Sequence, residues 1–154
     1  MTAFLEGDGL LHLREDMAVE RMIFPNLPVA DLRRSTEFYL GLGFKQSPQF
    51  SNEDCAAVII SDTIVVMLLH QEFFSGFLPE GDTPHLRAAG KEVVNCLSCD
   101  TREEVDTFLA NAAQNGGAVF QPAREQMPGM YSGAATDPDG HVWEFMWMDP
   151  SIPE

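Results

Sequence analysis

The sequence predicts an α+β fold assembled from a duplicated βαβββ unit. Three observations predict it: two amphipathic helix patterns at matching positions, a strand pattern before each, and about three strand patterns after each. The stretch "PVADLRRSTEFYLGLGF" in the first half corresponds to "SCDTREEVDTFLANAAQNGG" in the second, and "ISDTIVVMLL" corresponds to "DPDGHVWEFMW". The two halves agree weakly in letters and clearly in the order of their elements.

Residues 1–21 carry no clean period and form an N-terminal extension; 22–150 read as one domain and 151–154 as a tail. Within the domain, module 1 spans about 22–70, a connector about 71–92, and module 2 about 93–150. Met22–Val29 is an apolar strand whose prolines at 25 and 28 suit an edge. Asp31 can cap a helix that carries Leu32, Phe38, Tyr39 and Leu42 on one face, and Gly41 and Gly43 stop it. Residues 55–70 read as a hairpin turning at Ser61-Asp62-Thr63. The connector holds Gly, Pro and charge, with one helical turn around Phe73, Phe74 and Phe77. "EVVNCLSC" is a strand. The helix after it has two capping registers open to it, Asp100 with Glu103 or Thr101 with Glu104. Its stripe of Val105, Phe108, Leu109, Ala112 and Ala113 ends at Gly116-Gly117. Strands are expected at 118–120, around 130–135 and at 141–148, the last after a "DPDG" turn.

Composition narrows the class of partner. In 154 residues, 9 Lys and Arg stand against 24 Asp and Glu, a net charge of −15. Such a field repels phosphate backbones and anionic lipid, so neither nucleic acid nor a membrane is an expected partner. Three cysteines draw no even disulfide framework, no segment has the pattern of a signal peptide, and no run suits a membrane span. A cytoplasmic location is the expectation.

The last strand poses the chemical question. Val142, Glu144, Met146 and Met148 alternate with His141, Trp143, Phe145 and Trp147, so one carboxylate sits on a face of valine and methionine. His141 and Glu144 resemble an H-x-x-E pair, but their odd separation on a strand sends them to opposite faces. Cys96 and Cys99 have C-x-x-C spacing without a second pair, and the expectation for both is that of buried small hydrophobes.

The stretches "LPVADLRRSTEFYLGLGF" (27–44) and "DPDGHVWEFMW" (137–147), in this order and separation, resemble the vicinal oxygen chelate superfamily of glyoxalase I, bleomycin-resistance proteins and extradiol dioxygenases. The resemblance implies two βαβββ modules whose curved mixed sheets surround a shared cavity, often completed in a homodimer. Metal enzymes of the superfamily take ligands from the first and last strands of each module. Here those positions fall on Phe24, on Val66 or Met67, near Val93 with Asn95 as the nearest polar group, and on Glu144. Only Glu144 supplies the family carboxylate; Asn26 and Asn95 are weak donors that could be recruited.

Two readings of function follow. In the first, the chain binds a small, partly apolar molecule in a pocket of Phe24, Asn26, Met67, Asn95, Met130, Tyr131 and Glu144, with a degenerate metal site. In the second, it is a metal-dependent lyase, isomerase or dioxygenase in which Glu144 is catalytic, as base or as ligand to Zn, Ni, Mn or Fe. Tyr131 either presents its hydroxyl to a ligand or packs.

Overall fold

The computed structural model describes residues 21–87 and 89–152; the proposed N-terminal extension lies almost wholly outside the described residues. Module 1 runs β1 (Asn26–Val29), α1 (Leu32–Gly41), β2 (Lys45–Ser47), a 3-10 turn (Pro48–Phe50), β3 (Cys55–Ile59) and β4 (Val65–His70). A short helix, α2 (Gln71–Ser75), opens the connector. Module 2 runs β5 (Val94–Cys99), α3 (Arg102–Gln114), β6 (Ala118–Met127), β7 (Met130–Thr136) and β8 (Val142–Met148).

The strands form two four-stranded mixed sheets of identical plan, β1-β4-β3-β2 and β5-β8-β7-β6. The first and last strands of each module pair in parallel and the other pairs are antiparallel. The duplicated order read from the sequence is therefore the architecture.

Helices α1 and α3 start where a side chain can satisfy an orphan amide. Asp31 accepts from the Arg34 amide at 2.9 Å. In α3 the second capping register is used: Thr101 accepts from the Glu104 amide at 3.1 Å, and Glu104 Oε2 accepts from the Asp100 amide at 2.6 Å. The helix-facing sides of the two sheets feed one core. Val29, Phe38, Tyr39, Val58, Val66 and Leu68 come from module 1; Leu97, Val105, Leu109, Trp143 and Phe145 come from module 2. Aromatic contacts cross the seam: Phe44 stacks on Phe108 at 5.7 Å, and Tyr39 meets Trp143 edge-on at 6.0 Å. Such pairs contribute about 1 kcal/mol each beyond the area they bury. At Gly117 a Cβ would collide with the Thr136 carbonyl oxygen and come 2.6 Å from Phe38 Cε2, so only glycine lets the chain pass there.

The structure departs from the sequence reading at three strands. β1 is shorter than Met22–Val29, with only an isolated bridge from Ile23 to Ile64 before it. β2, at Lys45–Ser47, completes the three strands expected after α1, but the sequence reading gives it no residues, and the 3-10 turn was not expected. β6 is ten residues long instead of three, because pairing with β7 continues through register shifts beyond Pro122. No helix among the described residues is long and apolar enough to cross a membrane.

Candidate functional site

The alternation of β8 places Glu144 on the face of the second sheet turned away from the helices. Trp143 and Phe145 are buried in the core, whereas Glu144 and Met146 are half-buried and Met148 is exposed. Register fixes the neighbours of Glu144: Cys96 on β5 and Ala134 on β7 stand directly beside it. Cys96 is exposed, which corrects the buried-hydrophobe expectation; Cys99, three residues on and facing the core, is buried. Burial pushes the Cys96 thiol up, and the charge and hydrogen bonding of Glu144 push it further. The pair is therefore a protonated thiol beside a carboxylate. Ser132, opposite Met146 on the same face, is buried, and its Oγ has no hydrogen-bond partner among the described residues.

The other sequence candidates divide between two faces. Asn26 pairs with Met67 across β1 and β4, and its Nδ2 donates to the Phe24 carbonyl at 2.8 Å. Met130 pairs with Met148 on the open face of the second sheet. Asn95 pairs with Trp143 and so belongs to the opposite face from Glu144. Tyr131 pairs with Trp147 on the helix side; its hydroxyl donates to Asp106 Oδ1 at 2.7 Å. Arg102 lies over both rings, 5.1 Å from the Tyr131 centroid and 4.9 Å from that of Trp147. Packing is thus the fate of Tyr131, and the seven residues do not converge on one pocket.

At the positions where the resemblance puts metal ligands, Phe24 and Val93 are exposed hydrocarbon and Met67 is a thioether. Hydrocarbon has no lone pair to give and a thioether suits soft ions only. Among the described residues no group of three or more His, Cys, Asp or Glu side chains is placed to hold an ion. The donor set does not fit a divalent metal of the family kind.

A cavity of about 510 Å³ lies elsewhere, where the connector crosses the seam between β1, β5 and the start of β8. Asn26 and Asn95 line it; Phe24, Met67, Met130, Tyr131 and Glu144 do not. Asp139 and Gly140, from the turn 137–140 that ties the modules together, also line it. Asp139 accepts from the Ala30 amide at 2.9 Å and the Ser35 hydroxyl at 2.6 Å. Asp137 accepts from the Tyr39 hydroxyl at 2.6 Å and from the amides of Asp139 and His141 at 3.0 and 2.9 Å. Burial raises the Asp137 carboxyl above the usual range, against the pull of His141 and of the Tyr39 hydrogen bond. Tyr39, which also accepts from Trp143 Nε1 at 2.9 Å, is pushed well up by burial and then by Asp137. His141 Nε2 lies 2.7 Å from the Pro28 carbonyl oxygen, an acceptor only, so that nitrogen carries the proton.

Sequence reasoning treated this turn as a turn alone and passed over His85, Arg87 and Lys91 in the connector. One signal was available: a "HLRAAGK" segment with three basic groups in a chain so acidic.

The family model described as Glyoxalase/Bleomycin resistance protein/Dioxygenase superfamily matches residues 21–145. A comparison with curated proteins returns no match. Among solved structures, a hypothetical protein from S. aureus is 30% identical with a TM-score of 0.68, covering 88% of this chain and 98% of its own. A glyoxalase/bleomycin resistance protein/dioxygenase family enzyme from Burkholderia phytofirmans PsJN is 16% identical with a TM-score of 0.69, over 84% and 99% of the two chains. A lactoylglutathione lyase from Agrobacterium tumefaciens is 18% identical with a TM-score of 0.62, over 84% and 95%; at such identities the likeness is one of fold. With its paired βαβββ modules and a family match across both, the chain belongs to the glyoxalase/bleomycin resistance protein/dioxygenase superfamily.

Proposed function

We propose that this protein binds a small, partly apolar molecule on the open face of its second sheet, without the family's metal. The observation that carries the reading is Glu144: a half-buried carboxylate among Met146, Ala134 and Cys96, on the same face as Ser132, whose hydroxyl has no partner among the described residues. An apolar surface with a few polar groups selects a hydrophobic guest and orients it through one or two hydrogen bonds. Glu144 accepts from a donor on the guest, and the methionines adapt to its shape.

A second copy of the chain is the expected partner. Phe24 just before β1, Val93 just before β5 and Val94 at the start of β5 are all about half exposed, beside the outer strands of the two sheets. Sedimentation velocity tests this; a monomer at micromolar concentration contradicts it. The second reading, a metal-dependent lyase, isomerase or dioxygenase, rests on Glu144 alone.

The test is calorimetry of metal-stripped protein against a panel of small aromatic and aliphatic metabolites. Binding without added metal, weakened by Glu144→Gln, is the expected result. If every guest that binds requires a divalent ion, the reading falls and the metal-enzyme reading replaces it.

A further inference from the structure

Register brings a second charged group to the open face that holds Glu144. Arg124 on β6 pairs with Ser132 on β7, which pairs in turn with Met146 on β8. Residues directly opposite one another share a face, so Arg124, Ser132, Met146 and Glu144 stand on one side of the sheet. The next residue along β6 agrees: Glu125 points to the helix side, where its Oε2 lies 3.4 Å from Arg102 Nη2 of α3, and successive strand residues alternate. Arg124 is exposed, and its Nε donates to Gln126 Oε1 at 3.3 Å. No carboxylate pairs with its guanidinium among the described residues.

Glu144 likewise meets the Cys96 thiol and no cation among the described ion pairs. The face therefore carries one positive and one negative group that do not pair with each other. Two strand spacings and two residues along the strands separate them, about 12 Å between their Cα atoms. The floor between them is made of small side chains, Ser132 and Ala134, both buried, with Met146 beside. Long groups at the two ends and small ones in the middle leave a trough. Ser132 Oγ, next to Arg124 in that floor, is buried and has no hydrogen-bond partner among the described residues, a state that costs free energy until a partner arrives. The charge of −15 on the chain repels a bare anion, whereas a guest of zero net charge meets no such long-range barrier.

We propose that the guest of the open face is a zwitterion: a small molecule with an ammonium at one end, a carboxylate at the other and an apolar body between. The proposal rests on the reading that this face is the binding site. Glu144 accepts from the ammonium, Arg124 donates to the carboxylate with the Ser132 hydroxyl beside it, and the body lies over Ala134 against Met146. With a hydrogen bond of about 2.8 Å at each end, the guest's charges stand about 6–7 Å apart.

The experiment follows amide chemical shifts of the full, metal-stripped chain in NMR titrations with 4-(aminomethyl)benzoate. Three probes of the same shape are its controls: 4-methylbenzylamine, 4-methylbenzoate and the neutral 4-methylbenzyl alcohol. The expected result is saturable binding of the zwitterion at about 1 mM or tighter, with shifts centred on Ser132, Ala134 and Glu144. Each probe with a single charge should bind about 3- to 10-fold more weakly, since both end groups are partly solvated. Arg124→Gln should bring the zwitterion down to the level of the amine and leave the amine unchanged; Glu144→Gln should bring it down to the level of 4-methylbenzoate. Arg33→Gln, at an exposed residue of α1 paired with Glu37, should change none of them. If the neutral alcohol binds this face as tightly as the zwitterion, the charge pair is overturned and the apolar-guest reading stands. No saturable shift from the zwitterion, or shifts centred elsewhere, also overturns the proposal. Binding of any probe only after a divalent ion is added overturns the underlying reading and this proposal with it. The wild-type comparison of the four probes decides the matter even where a variant unfolds.

Discussion

Glu144 and Cys96 share a boundary whose chemistry can be read directly. Burial and the adjacent carboxylate both hold the Cys96 thiol above its ordinary value, so little thiolate forms at neutral pH. Glu144→Gln removes the charge and lowers the thiol pKa. Alkylation of Cys96 by iodoacetamide at about pH 8 should therefore quicken by roughly 2- to 5-fold, read by mass spectrometry of the Cys96 peptide. Cys99 is the internal control: it is buried, its thiol is pushed up to about 12, first by desolvation and then by Glu104, and its rate should not change. An unchanged Cys96 rate would mean that the two groups do not feel each other. The face occupied by Glu144 was legible in the sequence because a strand has a period of two and β8 alternates cleanly. Its neighbour Cys96 was not, because strand-to-strand register depends on pairing that no single strand records. The same gap hid Tyr131: only its register with Trp147 shows that it faces the helix side.

Among the elements, α1 was read with its cap, and α3 with its cap as the alternative to Asp100 and Glu103, since helix periodicity and end signals are local. Of β6 only residues 118–120 were read as strand, because the rest is an exposed edge bearing Pro122 and repeated register shifts, and so lacks the alternation that marks a half-buried strand. Two substitutions test how these elements are held. Thr101→Ala removes the cap of α3 and should cost about 1 kcal/mol of unfolding free energy in a denaturant titration. Gly117→Ala drives a methyl group into Thr136 and Phe38 and should cost about 2 kcal/mol or more in the same measurement. A neutral outcome at position 117 would show that the helix-to-strand passage is looser than its contacts indicate.

Across the whole molecule, the two modules are joined by a shared core and by the buried acids of the turn 137–140. Asp137 is held above the usual carboxylate range by burial, so the folded chain keeps a proton that the unfolded chain has released. The stability linked to this group is present below its ordinary value of 3.8 and declines as pH rises from there through the raised folded value. Wild type should thus gain stability relative to Asp137→Asn on going from about pH 7 to about pH 4, as urea unfolding of both proteins would show. A difference that is flat in pH, or that grows toward pH 7, contradicts this assignment. The duplicated fold was legible because repeated order survives divergence of letters, whereas this seam was not, because it joins residues about a hundred positions apart.

We propose that the chain, which has the family fold, keeps one family carboxylate, Glu144, while Phe24, Val66 or Met67, and Val93 stand at the other positions where the resemblance puts metal ligands. Isothermal titration of Zn²⁺, Ni²⁺, Mn²⁺ and, without oxygen, Fe²⁺ into metal-free wild type and Glu144→Gln tests it most directly. The account predicts no stoichiometric binding that depends on Glu144. One equivalent bound tightly by wild type and lost in Glu144→Gln would contradict it.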